Sequence, residues 1–146
     1  MDGKWDARFM DLAETVAQWS KDPSTKVGCV LANEQRQVVG LGFNGFPRGV
    51  NDFPDRYLDR PTKYLMVQHA EANAVLQAAA PVKGATAYVT HHPCSSCMGV
   101  LIQAGIKRVV TTKPGALLGQ RFLESFHAAY VMAVEAGVWF DVRGEE

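Results

Sequence analysis

The segment ATAYVTHHPCSSCMGVLIQAGIKRVVTT, residues 85–112, decides the fold. Its two ends, residues 85–90 and 108–112, are short apolar runs typical of buried strands. Between them Cys97, Leu101 and Ala104 recur at helical spacing, and Gly105 is a favourable residue at a helix end. A strand, a crossover helix and a second strand predict a parallel pair.

The chain that precedes this segment begins with a helix and a hairpin. Residues 26–32 form a nearly continuous apolar run, residues 33–37 a polar turn, and residues 38–43 a second strand. The frequent glycines in that second strand predict that another backbone approaches it closely. The helix is predicted from apolar residues at helical spacing: Trp5, Phe9, Leu12, Ala13 and Val16.

Residues 44–63 show no periodicity and contain three prolines, which predicts a long loop of the kind that carries function. A helix is predicted near residues 68–80. On the C-terminal side, a long helix with Phe122 and Phe126 on one face ends at Gly137, and residues 138–142 form a fifth strand.

The order of the elements is αββ followed by αβαβαβ. It predicts an α/β fold in three layers, α/β/α, around a five-stranded mixed sheet. Residues 1–146 contain no internal repeat or linker, so we expect a single domain.

Composition narrows the function classes. Fifteen basic and fifteen acidic side chains give a net charge of zero, which disfavours a nucleic-acid partner because such proteins usually carry a basic excess. The start of the chain lacks a signal peptide, and no apolar run is long enough for a membrane span. With three cysteines, an odd number, we expect a cytoplasmic protein that uses thiols for a metal or for reactivity rather than for disulfides.

Two short motifs carry the chemistry. His69-Ala70-Glu71 precedes Cys94-Ser95-Ser96-Cys97 by 25 residues, counted from histidine to first cysteine. Two cysteines three apart at a helix start and a histidine opening a neighbouring helix can bind one zinc ion, which leaves a fourth position for water. A carboxylate at Glu71 can exchange protons with that water.

This interpretation depends on where the helix starts. Residues two apart lie about 200° apart on a regular helix, so His69 and Glu71 can flank one site only at a helix entry. Other interpretations stay open from the residues alone: the two cysteines as a redox pair, or a purely structural zinc site. A structural zinc would leave Glu71 unexplained.

The motifs together resemble the dCMP deaminases of the cytidine-deaminase-like superfamily, whose zinc enzymes carry H-x-E and P-C-x-x-C. The resemblance spans most of residues 20–110. Members with a second, structural zinc carry extra His and Cys before the H-x-E motif, which residues 51–63 lack, so one zinc per chain is expected. The segments that carry the resemblance are Ser20-Lys21-Asp22-Pro23, Gly42-Phe43-Asn44-Gly45-Phe46-Pro47, His69-Ala70-Glu71-Ala72-Asn73-Ala74, Pro93-Cys94-Ser95-Ser96-Cys97 and Ile102-Gln103-Ala104-Gly105-Ile106.

The resemblance implies specific roles. Zinc is bound by His69, Cys94 and Cys97, and Glu71 moves protons to N3 and to the departing amino group. The backbone N–H of Ala70 holds the base carbonyl. Further substrate contacts are expected from these residues: Asn44 on the sugar or base edge, His92 on the base, Tyr64 on the pocket wall, Lys26 as the first phosphate ligand, and Arg121 and Arg48 as weaker ones.

The implied reaction is zinc-dependent hydrolysis of dCMP to dUMP and ammonia, a step of pyrimidine deoxynucleotide metabolism that supplies dTTP precursors. Alternatives that stay open are dCTP, 5-methyl-dCMP or deoxycytidine as substrate, a tRNA adenosine deaminase, and a non-catalytic regulatory subunit. The presence of Glu71 disfavours the last of these.

The resemblance also implies assembly and regulation. We expect a homo-oligomer, a hexamer by analogy, switched by dCTP and dTTP, with Mg²⁺ accompanying a triphosphate effector. The segment Gly45, Phe46, Pro47 and Arg48 is the expected effector loop, and residues 46–63 are the expected moving part. Residues 113–121 depart from the pattern of the regulated members, so no contacts are carried over from there.

Overall fold

The computed structural model describes residues 3–144. Five strands form one mixed sheet in the order β2-β1-β3-β4-β5. β1 pairs antiparallel with both β2 and β3, whereas the β3–β4 and β4–β5 pairs are parallel. The strands are β1 (Gly28–Ala32), β2 (Val38–Phe43), β3 (Thr86–Val89), β4 (Arg108–Thr112) and β5 (Trp139–Arg143).

Seven helices within residues 3–144 connect and cover these strands. Two of them end next to a glycine with positive φ, as the sequence predicts. Gly137 (φ 77°) caps α7, and Gly105 (φ 89°) follows the end of α5. The helices are α1 (Gly3–Ala17), α2 (Pro54–Leu58), α3 (Arg60–Met66), α4 (Ala70–Leu76), α5 (Ser95–Gln103), α6 (Ala116–Arg121) and α7 (Leu123–Ala136).

The sheet separates two apolar clusters, which confirms the three-layer α/β/α prediction. Alternate residues of β1 face opposite sides, as the period of a strand requires. Cys29 and Leu31 join the cluster that contains residues of α4, α5 and α7, whereas Val30 and Ala32 join the cluster of α1. β1 is therefore buried on both faces, which explains its uninterrupted apolar sequence.

Gly42 shows why the second strand contains glycine. A Cβ at Gly42 would lie 2.5 Å from the backbone nitrogen of Ala74 and 2.7 Å from the backbone oxygen of Ala70. The predicted close approach is therefore confirmed, and the approaching backbone is that of α4. Because α4 begins immediately after His69, this contact sets the position of the H-x-E motif relative to the sheet.

Residues 44–63 differ from the predicted loop, because they contain α2 and the start of α3. Pro54 and Pro61 lie in the first turns of these helices, where a missing N–H costs nothing and the fixed φ is helical. The prolines that suggested an irregular loop are thus helix-starting residues. α6 was also not predicted, and the helix expected near residues 68–80 spans only Ala70–Leu76.

A buried ionic cluster links α1 to β3, β4 and β5. Asp6, 1% exposed, accepts hydrogen bonds from Arg108 at 2.9 and 2.7 Å, from Tyr88 at 2.7 Å and from Arg143 at 2.7 Å. These bonds fasten α1 to three neighbouring strands. Among residues 3–144, none of the helices is long and apolar enough to cross a bilayer.

Candidate metal centre and catalytic cleft

A cleft of about 380 Å³ opens at the carboxyl end of β3, where β2 ends and β1 begins. Ligand sites of α/β proteins commonly lie at the carboxyl ends of strands. The cleft is lined by Asp22, Thr25, Val27, Asn44, Arg60, Lys63, Tyr64, Val67, His69, Ala70, Glu71, His91, His92, Cys94, Leu118, Arg121, Phe122 and Phe126.

Three potential metal ligands meet in this cleft. His69 and Cys94 are the N-cap residues of α4 and α5, both with extended backbone, and Cys97 lies in the first turn of α5. His69 Nδ1 is 3.0 Å from Cys97 Sγ and 3.7 Å from Cys94 Sγ. Within residues 3–144, this is the single group of at least three His, Cys, Asp or Glu side chains whose ligand atoms could hold a metal ion.

The donor set fits zinc. The ligand atoms all lie within 4.8 Å of one another. Nitrogen and sulfur bound to one tetrahedral zinc are roughly 3.5 Å apart, given Zn–N and Zn–S bond lengths near 2.0 and 2.3 Å. Hydrogen bonds from the Cys97 thiol and then from His69 lower the pKa of the Cys94 thiol to about 4. A thiolate at Cys94 is the form that binds a metal.

Glu71 is the second residue of α4 and is only 4% exposed. Burial raises the pKa of its carboxyl above the ordinary value, because a carboxylate loses hydration there. The extended backbone of His69 (φ −79°, ψ 156°) confirms that the helix starts after the histidine. His69 and Glu71 therefore both line one cleft, although residues two apart in a regular helix would diverge.

Aromatic side chains form the wall next to the metal ligands. The His92 ring lies 4.4 Å from the ring of Phe126 and 5.1 Å from that of Phe140, measured between centroids. Burial lowers the pKa of His92, so its imidazole is held in the neutral form. This arrangement gives the cleft an aromatic surface against which a planar ring can pack.

A polar network supports the opposite wall. The buried Asn44 accepts a hydrogen bond from the Val27 N–H at 2.9 Å through Oδ1 and donates to the Thr25 carbonyl at 2.9 Å through Nδ2. Asp22, fully buried, pairs with the Lys63 ammonium at 2.7 Å. Burial alone would raise the pKa of Asp22, but the hydrogen bond from Lys63 and those from backbone N–H groups lower it overall.

The structure places the other predicted contacts in different ways. Ala70, Tyr64 and Arg121 line the cleft. Lys26 does not: its ammonium donates to the carbonyl of Ser20. The phosphate-binding role expected of Lys26 therefore stays a prediction that this geometry does not support, and Arg48 also lies outside the cleft.

The expected effector loop lies beside the cleft without lining it. Gly45 pairs with Gln68 through backbone hydrogen bonds of 3.0 and 2.7 Å. The Phe46 ring stacks on Tyr57 with centroids 4.2 Å apart and planes at 6°. Like Arg48, Pro47 has no position in the cleft. The stacked rings join the loop to α2, and the backbone pair joins it to Gln68. Since the ring contact lies within residues 46–63, the motion of that segment stays a prediction.

Sequence reasoning missed Arg60 and gave Phe126 only a packing role. Arg60 was overlooked because residues 44–63 were interpreted as a loop. Once α3 is recognised, Arg60 and Tyr64 fall four apart on one helix face, and the guanidinium donates to the Tyr64 hydroxyl at 2.9 Å. That spacing was the available signal.

The comparison with known families agrees with this geometry. Residues 3–113 match the family described as cytidine and deoxycytidylate deaminase zinc-binding region. The chain belongs to this family. The matched range includes Glu71 and all three potential zinc ligands.

Individual relatives point the same way. An uncharacterized deaminase of Aliivibrio fischeri is 42% identical over 138 residues, which cover 94% of this chain and 92% of that protein. The deoxycytidylate deaminase of Mus musculus is 43% identical over 115 residues, 73% of this chain and 64% of that enzyme. The chain thus matches less than two thirds of the mouse enzyme's length.

The fold has close structural counterparts. The dCMP deaminase of cyanophage S-TIM5, solved with dCMP and dUMP, superposes with a TM-score of 0.80 and 24% identity over 98% of this chain and 99% of that one. At this identity the likeness establishes the fold, which is that of the cytidine deaminases.

Proposed function

We propose that this chain catalyses the hydrolytic deamination of dCMP to dUMP with release of ammonia. The observation that carries the proposal is the buried Glu71 in the cleft that His69 and Cys94 also line, where Cys97 completes the ligand group. Family membership and the relative in Mus musculus named deoxycytidylate deaminase support the choice of substrate.

His69, Cys94 and Cys97 would hold one zinc ion per chain, which would supply a Lewis acid and lower the pKa of a bound water toward ~7. Glu71 accepts the two protons of the attacking water in turn and delivers one to N3 of the cytosine ring and the other to the leaving amino group. A C4–O bond forms, the C4–N bond breaks, and the water oxygen becomes the carbonyl oxygen of uracil. The raised pKa of Glu71 makes its carboxylate a better proton acceptor.

Other cleft residues position the nucleotide. The Ala70 N–H lies at the first position of α4, where helical N–H groups lack intrahelical partners, and it donates to the base carbonyl. His92 packs against the base. Asn44 Oδ1 accepts one hydrogen bond within the protein, and the second lone pair of this carbonyl oxygen is available to a sugar hydroxyl.

Assembly and regulation extend the proposal. Leu65 is 86% exposed, and Tyr130 and Val134 of α7 are more than half exposed, so apolar surface is available for contacts between copies. A hexamer regulated by dCTP and dTTP, with Mg²⁺ on the triphosphate, follows from the resemblance. Light scattering and dCMP saturation curves with and without each effector test these points. A monomer with an unchanged hyperbolic curve would contradict both.

The test of function is ammonia release from zinc-loaded protein with dCMP, dCTP, CMP, deoxycytidine and 5-methyl-dCMP. We expect dCMP to give the highest kcat/KM. Glu71→Gln should keep its zinc content and fold yet lose at least about 10²–10⁴-fold in kcat. Glu135→Gln, an exposed site on α7, is the control and should remain active. Wild-type kcat in Glu71→Gln, or no ammonia from any compound, would refute the proposal.

A further inference from the structure

Three cationic side chains line the cleft, and one of them is already neutralised. The Lys63 ammonium is 2.7 Å from the buried carboxylate of Asp22 and 3.2 Å from Ser24 Oγ. Among residues 3–144, neither of the other two, Arg60 and Arg121, forms an ion pair. The cleft therefore carries two positive charges that no described carboxylate offsets.

The two arginines line the same cleft from different helices, α3 and α6. Arg60 of α3 donates to the Tyr64 hydroxyl at 2.9 Å. Burial alone would raise the pKa of Tyr64, but the hydrogen bond from Arg60 and the charges of Arg60, Arg121 and Lys63 lower it overall. Arg121 of α6 lines the same cleft as Arg60 and Tyr64.

Both arginines are exposed, as is Tyr64 at 53%, whereas Glu71 is 4% exposed. The charges hence lie at the rim of the cleft and the proton-transfer group in its buried part. A guanidinium presents a planar fork of donors that matches two oxygens of a phosphate, and its charge makes these hydrogen bonds stronger than neutral ones.

The geometry points to Arg60, with the Tyr64 hydroxyl that it binds, and Arg121 on the same cleft as the residues that select a 5′-monophosphate over the corresponding nucleoside. This inference rests on the proposed function and replaces Lys26 in the phosphate-binding role. A cytosine ring in the buried part of the cleft leaves the phosphate at the rim, where two guanidinium groups and a hydroxyl can donate to it.

The first experiment measures kcat/KM for dCMP and for deoxycytidine in Arg60→Gln, Arg121→Gln and the double variant. The dCMP-to-deoxycytidine ratio should fall 10- to 100-fold for each single variant, since a hydrogen bond to a charged group contributes about 1.5–3 kcal/mol. Arg56→Gln is the matched control, because Arg56 lies on α2 and donates to the Asn51 carbonyl outside the cleft. An unchanged ratio in the double variant would overturn the assignment.

The second experiment separates this inference from the proposed reaction. Deoxyribose 5-phosphate is titrated by calorimetry into zinc-loaded Glu71→Gln protein with and without the Arg60 and Arg121 substitutions. Binding that requires the arginines supports the phosphate site even if no cytosine compound is deaminated. Arginine-independent binding, or none, would refute the phosphate site while leaving dCMP turnover as a separate result.

Discussion

The two walls of the cleft differ in how they are attached to the protein. The α3 wall, formed by Arg60, Lys63, Tyr64 and Val67, is fixed by the buried pair of Lys63 with Asp22. The α6 wall contains Leu118, Arg121 and Phe122. α6 has no buried residue, and its first residues follow a loop at Gly115.

The difference indicates which parts of the cleft are preorganised. Glu71, its neighbouring ligands and the α3 wall are held by buried contacts, as proton transfer within hydrogen-bond distance requires. The α6 wall has few buried contacts, the property that gives a segment low local stability. If Arg121 and Arg60 bind one phosphate, substrate binding joins a fixed wall to a loosely attached one.

The largest effect is expected from breaking the α3 wall. Lys63→Met leaves the Asp22 carboxylate buried without its cation, and removing one partner of a buried pair costs about 3–5 kcal/mol of unfolding free energy. Lys21→Met removes the exposed partner of Asp52, 70% and 43% exposed, and should cost less than about 1 kcal/mol. Urea denaturation measures both, and equal costs would contradict the anchoring role.

Gly42→Ala should displace α4 and with it the H-x-E motif. The added Cβ would lie 2.5 Å from the Ala74 backbone nitrogen, so α4 must shift. We expect a loss of about 1–3 kcal/mol in stability, together with lower kcat. Gly99→Ala in α5 is the control: its Cβ meets no atom within 4 Å, so stability should stay equal or rise by up to about 1 kcal/mol. A neutral Gly42→Ala would show that α4 can move freely.

Acid should weaken the α3 wall. Although burial raises the pKa of Asp22, its hydrogen bonds lower it overall, below the ordinary 3.8. A lowered pKa in the folded state gives stability that is present above the unfolded-state pKa and is lost as pH falls through the folded-state pKa. The stability difference between wild type and Lys63→Met should therefore narrow when urea denaturation is repeated from about pH 7 down to about pH 3. A constant difference would exclude Asp22 as the titrating group.

The elements whose apolar side chains pack in or against the sheet were the predictable ones. The apolar run predicts β1, and the helical periodicity that ends at Gly105 predicts α5. Burial in or against the sheet requires these patterns. The H-x-E and C-x-x-C motifs are predictable for a related reason. Their residue types and helix-start positions follow from what a zinc ion needs.

The parts that escaped prediction lack such constraints. α6 buries no side chain, so its sequence shows no apolar face. α2 and α3 are short, and their starting prolines also occur in loops. Lys26 was favoured because it matches a family position near the substrate, whereas the direction of its ammonium toward Ser20 depends on how the preceding loop folds. Tertiary packing, which local patterns do not encode, decided these cases.

The smallest effect is expected from the α6 wall. Leu117 is 81% exposed and does not line the cleft, so Leu117→Ala should change unfolding free energy by less than about 0.5 kcal/mol. Leu101→Ala, the same substitution at a fully buried residue of α5, should cost about 2–5 kcal/mol. Urea denaturation at several protein concentrations measures both changes in unfolding free energy. A large, concentration-dependent cost at Leu117 would contradict the loose attachment of α6 and show that a second copy of the chain covers it.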